Sequence, residues 1–259
     1  MNNRERRTVK IAMQLYSLRE YTKSPEGLRD SLDRLAKCGY KYVETAGYYG
    51  MTAAELKSLL DQYGLQAISA HVDIERVTRG IDELIADLKT FGADEVCVPG
   101  IPGHLFHFTP AGYTCFAEDM ETAAQKLAEN GIQLSYHNHG HEFKRMGIAT
   151  GMHYLFGNMP SVNMQLDVGH CRAAQERPEE WLRFYNDRIS TVHYKDVVFV
   201  DGVRRDVAIG EGLVDWKAVT GELRKSGCKY IVVEHEEFNR DAWDICATSY
   251  RNIESYLAD

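Results

Sequence analysis

The sequence predicts a single (β/α)8 TIM barrel, on three observations. Strand-like apolar runs recur roughly every 25–40 residues and alternate with segments of helical period, the pattern of a parallel sheet with helical crossovers. Eight such runs fit in a chain of 259 residues, and a closed barrel of eight units typically takes about 250. The last four runs end in acids or histidines, which a buried strand end tolerates only where they are paired or hold a metal. One site shared at one end of a barrel accounts for all four together.

The runs occupy residues 9–16, 40–45, 66–71, 95–98, 132–137, 163–168, 189–194 and 230–236. The first is followed by Met13-Gln14-Leu15-Tyr16-Ser17-Leu18-Arg19. That stretch lacks the glycine-rich phosphate turn of an open doubly wound sheet, so the closed barrel is preferred. Thr52-Ala53-Ala54-Glu55 reads as a capping box ahead of Leu56, Leu59, Leu60 and Tyr63, with Gly64 as the stop. Ile81, Leu84, Ile85, Leu88 and Phe91 form a second apolar stripe closed by Gly92, and Phe116, Met120, Ala123, Ala124 and Leu127 a third closed by Gly131. Trp216, Val219 and Leu223 lead to Gly227, and Ile245, Ser249 and Ile253 carry the last helix to Leu257. Residues 106–112, around Pro110, are the longest irregular stretch and are read as a loop over the barrel mouth. No linker, low-complexity tract or charge block divides the chain, so residues 1–259 are taken as one domain.

Net charge is −8 and the pI is near 5.7. An acidic chain lacks the positive field by which nucleic acids are bound, so no nucleic-acid partner is expected. The six cysteines are scattered with no C-x-x-C pair, which favours reduced thiols over a zinc ribbon or disulfide framework. The basic start is followed at once by strand residues rather than by a secretory apolar core, and no run reaches membrane-spanning length. The chain is therefore read as soluble and cytoplasmic with no membrane partner. Export is left open should a leader precede it, and so is assembly into a homo-oligomer.

The chemistry lies in four segments. They are Tyr136-His137-Asn138-His139 with Glu142 beyond, Leu166-Asp167-Val168-Gly169-His170, Val192-His193-Tyr194-Lys195-Asp196 and Val233-Glu234-His235-Glu236. Two or three carboxylates with one or two imidazoles suit a divalent ion such as Mn²⁺, Mg²⁺, Co²⁺ or Zn²⁺, and no cysteine biases the set towards softer metals. Taken singly, each residue has a plain structural use. Asp167 would be a helix N-cap, His193 a satisfied buried histidine, and Lys195-Asp196 a surface ion pair. It is their recurrence on four consecutive strands that favours a common site.

With Gly210-Glu211-Gly212-Leu213-Val214-Asp215-Trp216 and Val232-Val233-Glu234-His235 added, the chain resembles the sugar phosphate isomerase/epimerase family of xylose isomerase-like TIM barrels. That family also includes inosose dehydratases, ketose 3-epimerases and endonuclease IV. The resemblance implies Asp167, His193 and Glu234 as metal ligands. In many relatives strand five ends in a glutamate, and the matching position here is His137. Glu142 is taken as the fourth ligand, with His137 and His139 near the substrate; His137 as the ligand remains the alternative. Glu44, His71 and His170 are read as substrate-binding, Lys195 as neutralising an oxyanion or phosphate, and Glu236 as an acid/base. The catalytic set is thus His137, His139, Glu234, Glu236 and Lys195. Gly210-Glu211-Gly212 is read either as a plain turn or as a lid hinge.

The expected activity is metal-dependent isomerisation or epimerisation of a sugar or related polyhydroxy carbonyl compound, by proton transfer through an enediolate. Loss of a β-hydroxyl from the same intermediate would make the protein a dehydratase or lyase on an inosose or 3-keto sugar. The imidazole-rich end of strand five keeps that reading open. An endonuclease IV-type nuclease on the same barrel is the less favoured alternative, because of the acidic charge.

Overall fold

In the computed structural model, which describes residues 9–258, eight parallel strands close on themselves. They are β1 (Lys10–Gln14), β2 (Tyr42–Ala46), β3 (Gln66–His71), β4 (Glu95–Val98), β5 (Gln133–His137), β6 (Asn163–Asp167), β7 (Thr191–Tyr194) and β8 (Tyr230–Val233). Each pairs with its sequence neighbours, and β1 closes the ring against β8 through Lys10↔Tyr230 to Met13↔Val233. The basic opening, residues 1–7, lies outside the described residues.

Eight principal helices follow the strands in turn: α1 (Pro25–Lys37), α2 (Ala53–Gln62), α3 (Ile81–Phe91), α4 (Pro110–Ala128), α5 (Gly151–Asn158), α6 (Pro178–Phe184), α7 (Trp216–Leu223) and α8 (Ala242–Ala258). The capping box of α2 is formed, with Thr52 N–H donating to Glu55 Oε2 at 2.8 Å and Glu55 N–H to Thr52 Oγ1 at 3.3 Å. α3 stops at Gly92, whose φ of 70° lies in the left-handed region that glycine enters without strain.

The strands carry two unlike faces, because successive side chains point to opposite sides. Ile11, Met13, Val96, Val98, Met164, Leu166, Val192, Ile231 and Val233 belong to the main apolar core beneath the helices. The other parity is largely polar, with Gln14, Glu44, Ser69, Glu95, Ser135, Gln165 and Thr191 at most 2 % exposed. These groups are hydrogen-bonded across the barrel. Glu95 Oε1 accepts from Ser135, Ser190 and Thr191 hydroxyls at 2.5, 2.8 and 2.9 Å. Gln165 Nε2 donates to Thr191 Oγ1 at 2.9 Å and to Glu44 Oε2 at 2.8 Å. A barrel interior is ordinarily filled by layers of Val, Ile and Leu; here a polar column replaces much of that filling.

Several expected boundaries move. β1 ends at Gln14, and residues 15–18 form a 3-10 turn. β8 ends at Val233, so Glu234 and Glu236 stand on the loop beyond the strand. The loop expected over residues 106–112 is largely helical. A short helix (Gly103–Phe106) and the start of α4 leave only residues 107–109 between them. Thr109 caps α4 by accepting from Gly112 N–H at 3.1 Å, and Pro110 takes the first turn, where its missing donor costs nothing. Gly112 is required there, because a Cβ would lie 1.7 Å from Phe106 O. A hairpin pairing Asp196–Val200 with Val203–Val207 rises from the end of β7 and was not foreseen.

Candidate functional site

Adjacent strands deliver the ligating atoms in register. Asp167 on β6 pairs with His193 on β7, and His193 pairs with Val232 on β8, two residues before Glu234. Together with His137 at the end of β5, they bring one ligand atom each to within 4.8 Å of one another, all four side chains buried. His193 Nδ1 lies 2.9 Å from Glu234 Oε2, and His137 Nε2 lies 3.9 Å from both Glu234 Oε2 and Asp167 Oδ2.

Asp167 fills the structural use its sequence position suggests. Its Oδ1 caps the short helix Val168–Ala173 by accepting from His170 N–H at 2.7 Å. Its Oδ2 is buried with no hydrogen-bond partner, as is Nδ1 of His137. The charge of Oδ2 is met by the buried ammonium of Lys195 at 3.3 Å, and this oxygen also faces a second carboxylate and two imidazoles within ligand-sharing distance. The donor set of two imidazoles and two carboxylates therefore fits a divalent ion.

Glu142 does not join this group. Its carboxylate accepts from Tyr136 Oη at 2.7 Å and from His139 N–H at 2.9 Å. Burial pushes it up to about 7 despite those hydrogen bonds. The fourth corner falls to His137, because the strand itself carries that ring to the barrel axis, whereas Glu142 sits in a 3-10 turn and folds back to hold the loop.

Glu44 is also displaced from its expected role. It is fully buried below the mouth and accepts from Gln14 Nε2 at 2.7 Å, Ser69 Oγ at 2.5 Å and Gln165 Nε2 at 2.8 Å. It also lies 2.7 Å from His193 Nε2. It therefore supports the histidine from behind, where substrate cannot reach. Burial disfavours the His193 imidazolium, but Glu44 and Glu234 outweigh it and push the ring up to about 10. Burial likewise opposes ionisation of Glu234, yet Lys195 and His193 hold that carboxyl well below its usual range.

Beside the tetrad lies a second cluster. Lys195 is fully buried, with Nζ 3.3 Å from Asp167 Oδ2, 3.3 Å from Glu234 Oε2 and 2.9 Å from Glu236 Oε1. Burial would lower it, but these carboxylates win and hold the ammonium charged. Glu236 also receives His170 Nε2 at 2.7 Å and the guanidinium of Arg204 from the hairpin. Arg204 lies 2.8 Å from His170 Nδ1 as well. His170 is thus engaged at both ring nitrogens, and Glu236 is held well below its usual range by His170 and Lys195 against the opposing effect of burial. A carboxylate bound by three cationic or imidazole groups is a poor proton carrier, which argues against the acid/base role expected for it.

Two cavities open at the mouth. The inner one, about 700 Å³, reaches the tetrad at His137 and Glu234 and is lined also by His71, His139, Tyr16 and Arg76. The outer one, about 510 Å³, lies between the loops after β3, β4 and β5. His139 lines both, and burial lowers it to about 4, so it is neutral near pH 7. Gly210-Glu211-Gly212 is a pinned turn. The carboxylate of Asp196, itself fully buried, accepts from Gly210 and Gly212 N–H at 2.9 and 3.0 Å and from Trp216 Nε1 at 2.8 Å.

Fold and site together define a TIM barrel whose strand ends present a buried His/Asp/His/Glu group suited to a divalent cation. The family model for xylose isomerase-like TIM barrels matches residues 32–252, and the chain belongs to that family of enzymes. An inosose dehydratase from Lacticaseibacillus casei is 25 % identical, over 80 % of this chain and 81 % of its own. The crystal structure of a sugar phosphate isomerase/epimerase from Parabacteroides distasonis superposes with a TM-score of 0.82 at 21 % identity, covering 96 % of each chain. An IolI protein solved with a bound zinc atom gives 0.71 at 16 % identity, over 96 % of this chain and 98 % of its own. Among the described residues, no helix is long and apolar enough to cross a membrane.

Gln14, Gln165 and Arg204 were missed by the sequence reading. The two glutamines share strand parity with acknowledged site residues, a signal that was available. Arg204 reaches the site only through the hairpin, and nothing local marks it.

Proposed function

We propose that the protein is a divalent-metal-dependent lyase, in the first place a dehydratase, acting on a polyhydroxylated cyclic ketone such as an inosose or a keto-sugar. The observation that carries this reading is the buried tetrad of His137, Asp167, His193 and Glu234, with the charged Lys195 at its edge. The inosose dehydratase relatives favour loss of water over isomerisation or epimerisation, which was the first expectation from sequence. Isomerisation and dehydration begin with the same proton removal and differ in what leaves afterwards.

An ion held by the tetrad would supply a Lewis acid for the carbonyl and its neighbouring hydroxyl oxygen. The chain supplies the rest. Lys195, kept protonated, offers fixed positive charge where an oxyanion develops, and a preorganised charge in a dry site is worth far more than one in water. Glu236 and Arg204 position Lys195 and His170 by the contacts described above. His139 lines the inner cavity and is neutral near pH 7, so its ring is the group placed to accept or return the proton on the carbon next to the carbonyl.

The test is incubation of metal-loaded protein with inososes and keto-sugars in deuterated water, followed by NMR. The expected result is loss of water with a new unsaturated or diketone product, abolished by chelation. Isotope uptake or epimer formation without a leaving group would replace dehydration by the isomerase/epimerase reading. A metal-loaded protein that leaves every such ketone unchanged would overturn both.

A further inference from the structure

Lys195 reaches the tetrad by register. It continues the inward parity of His193, and the pairing of Val232 with His193 carries Glu234 level with it. Its Nζ lies 3.3 Å from Asp167 Oδ2 and 3.3 Å from Glu234 Oε2. These are the same two oxygens that face His137 Nε2 at 3.9 Å. An ion bonded to them would stand close to the ammonium, and like charges in a buried site are poorly screened.

A second place for the ammonium is built beside the first. The stem of Lys195 passes over Gly169, where a Cβ would lie 2.7 Å from Lys195 Cγ, so the stem is held and the terminal carbons carry the freedom. Glu236 Oε1, which is outside the tetrad, is 2.9 Å from Nζ. The backbone N–H of Glu236 donates to Asp206 Oδ2 at 2.7 Å. Asp206, on the hairpin strand Val203–Val207, is 1 % exposed, and its Oδ1 is buried without a hydrogen-bond partner. Arg204, at 3.8 Å, is too far to donate to it. Lys195 acts on this carboxylate through space without touching it, and burial still pushes Asp206 above the usual carboxylate range. A buried carboxylate oxygen with no donor is costly, and this one stands next to the residue that already bonds the ammonium.

We propose that Lys195 is an exchangeable counter-cation of the tetrad and that Asp206 is the residue that receives it. A divalent ion expels the ammonium from Asp167 and Glu234, and Asp206 Oδ1 takes it up beside Glu236. Asp206 is thus a positioning residue, acting on the ion only through Lys195. This rests on the tetrad holding an ion and adds what sets the affinity for it.

Chelator competition for Zn²⁺, on the full chain, tests the exchange. Lys195→Met should bind Zn²⁺ at least about tenfold more tightly than wild type, because the opposing charge is gone. Asp206→Asn, which keeps an acceptor for the Glu236 N–H, should bind it roughly 3–10-fold more weakly. The double variant should match Lys195→Met, since no ammonium remains to be received. A merely structural Asp206, or a general charge effect, weakens binding equally in both backgrounds. In a crystal of the zinc-loaded wild type, Nζ should have left both ligand oxygens for Asp206 Oδ1; that position decides the matter alone if Lys195→Met does not fold. Equal or weaker binding by Lys195→Met, additive effects, or an Nζ still in contact with both oxygens would overturn the exchange and leave the tetrad standing. A wild type that takes up no divalent metal would overturn the tetrad, and the proposal with it.

Discussion

Glu44→Gln separates the support behind His193 from the ligands themselves. Glu44 is nearly isosteric with glutamine, so the barrel interior keeps its volume. Its partners, however, are the amides of Gln14 and Gln165, the hydroxyl of Ser69 and Nε2 of both His193 and His71, all 2.5–2.9 Å away. Whichever way a glutamine amide turns, its NH2 meets at least one of these donors. An unsatisfied buried donor costs about 1–3 kcal/mol. The larger effect concerns the imidazole. With Glu44 accepting from Nε2–H, Nδ1, which faces the Glu234 carboxylate, is the nitrogen that would give up its proton to take a cation. Losing such a partner typically weakens metal binding about 10–100-fold, or about 1.4–2.7 kcal/mol. The assay is competition of the metal-free variant against a chelator for Zn²⁺ and Mn²⁺. Imidazole NMR on the metal-free protein gives a second readout, in which His193 should titrate well below its wild-type value of about 10. A variant that binds metal within twofold of wild type and still titrates near 10 would refute the coupling between Glu44 and His193.

Asp167→Asn keeps a residue able to cap the short helix but removes the charge at Oδ2. Metal content by elemental analysis should fall to background while the circular dichroism spectrum is unchanged; a fully loaded variant counts against the tetrad. Lys195→Met leaves Asp167, Glu234 and Glu236 facing one another without the ammonium, a loss of the order of 3–5 kcal/mol for a buried pair. The metal-free protein should melt roughly 6–20 °C lower, with added divalent metal restoring part of the difference, and an unchanged Tm would be inconsistent with the geometry. Burial raises Glu95 above its usual value although three hydroxyls donate to it. The folded state thus keeps the Glu95 proton to higher pH than the unfolded chain does. Its stability contribution is complete below the ordinary carboxylate value and is lost as pH rises through the raised one. Urea unfolding across that window should show the downward slope in wild type and not in Glu95→Gln; parallel curves would contradict it.

The outer architecture was legible because each of its signals is local. Capping boxes, glycine stops and period-3.6 stripes act within one turn, and the Thr52 and Gly92 boundaries fall where the sequence places them. The strand ends were legible for a similar reason, since a charged group after an apolar run needs a partner wherever the chain goes. What the sequence did not disclose were contacts that depend on closure of the ring. Whether His137 or Glu142 faces Asp167 is decided by the loop after β5, where Tyr136 Oη and His139 N–H capture the Glu142 carboxylate. The hairpin that carries Arg204 to Glu236 was hidden because only its base, at Val197 and Val207, is buried, while Phe199, Val200 and Val203 towards its tip stay about half exposed.

The polar column inside the barrel is the most consequential of these unread features, and it was written in the strands. Asn163-Met164-Gln165-Leu166-Asp167 places polar groups at every alternate position, and Lys10-Ile11-Ala12-Met13-Gln14 and Glu95-Val96-Cys97-Val98 place polar or small residues there. A strand buried on both faces should instead read as a continuous apolar run. The alternation means that the apolar driving force lies mainly on the helix-facing side, where Ile11, Val96, Met164 and their neighbours pack. The inward side is held by hydrogen bonds running from Glu95 through Thr191 and Gln165 to Glu44 and His193. Such a chain fixes the orientation of every member, because rotating one leaves the next unsatisfied in a low-dielectric interior. The tetrad is therefore aimed by the floor of the barrel as well as by its own strands. Substitutions at Gln165, which lines neither cavity and reaches the site through Glu44, Thr191 and His71, should loosen metal binding without disturbing the helical shell.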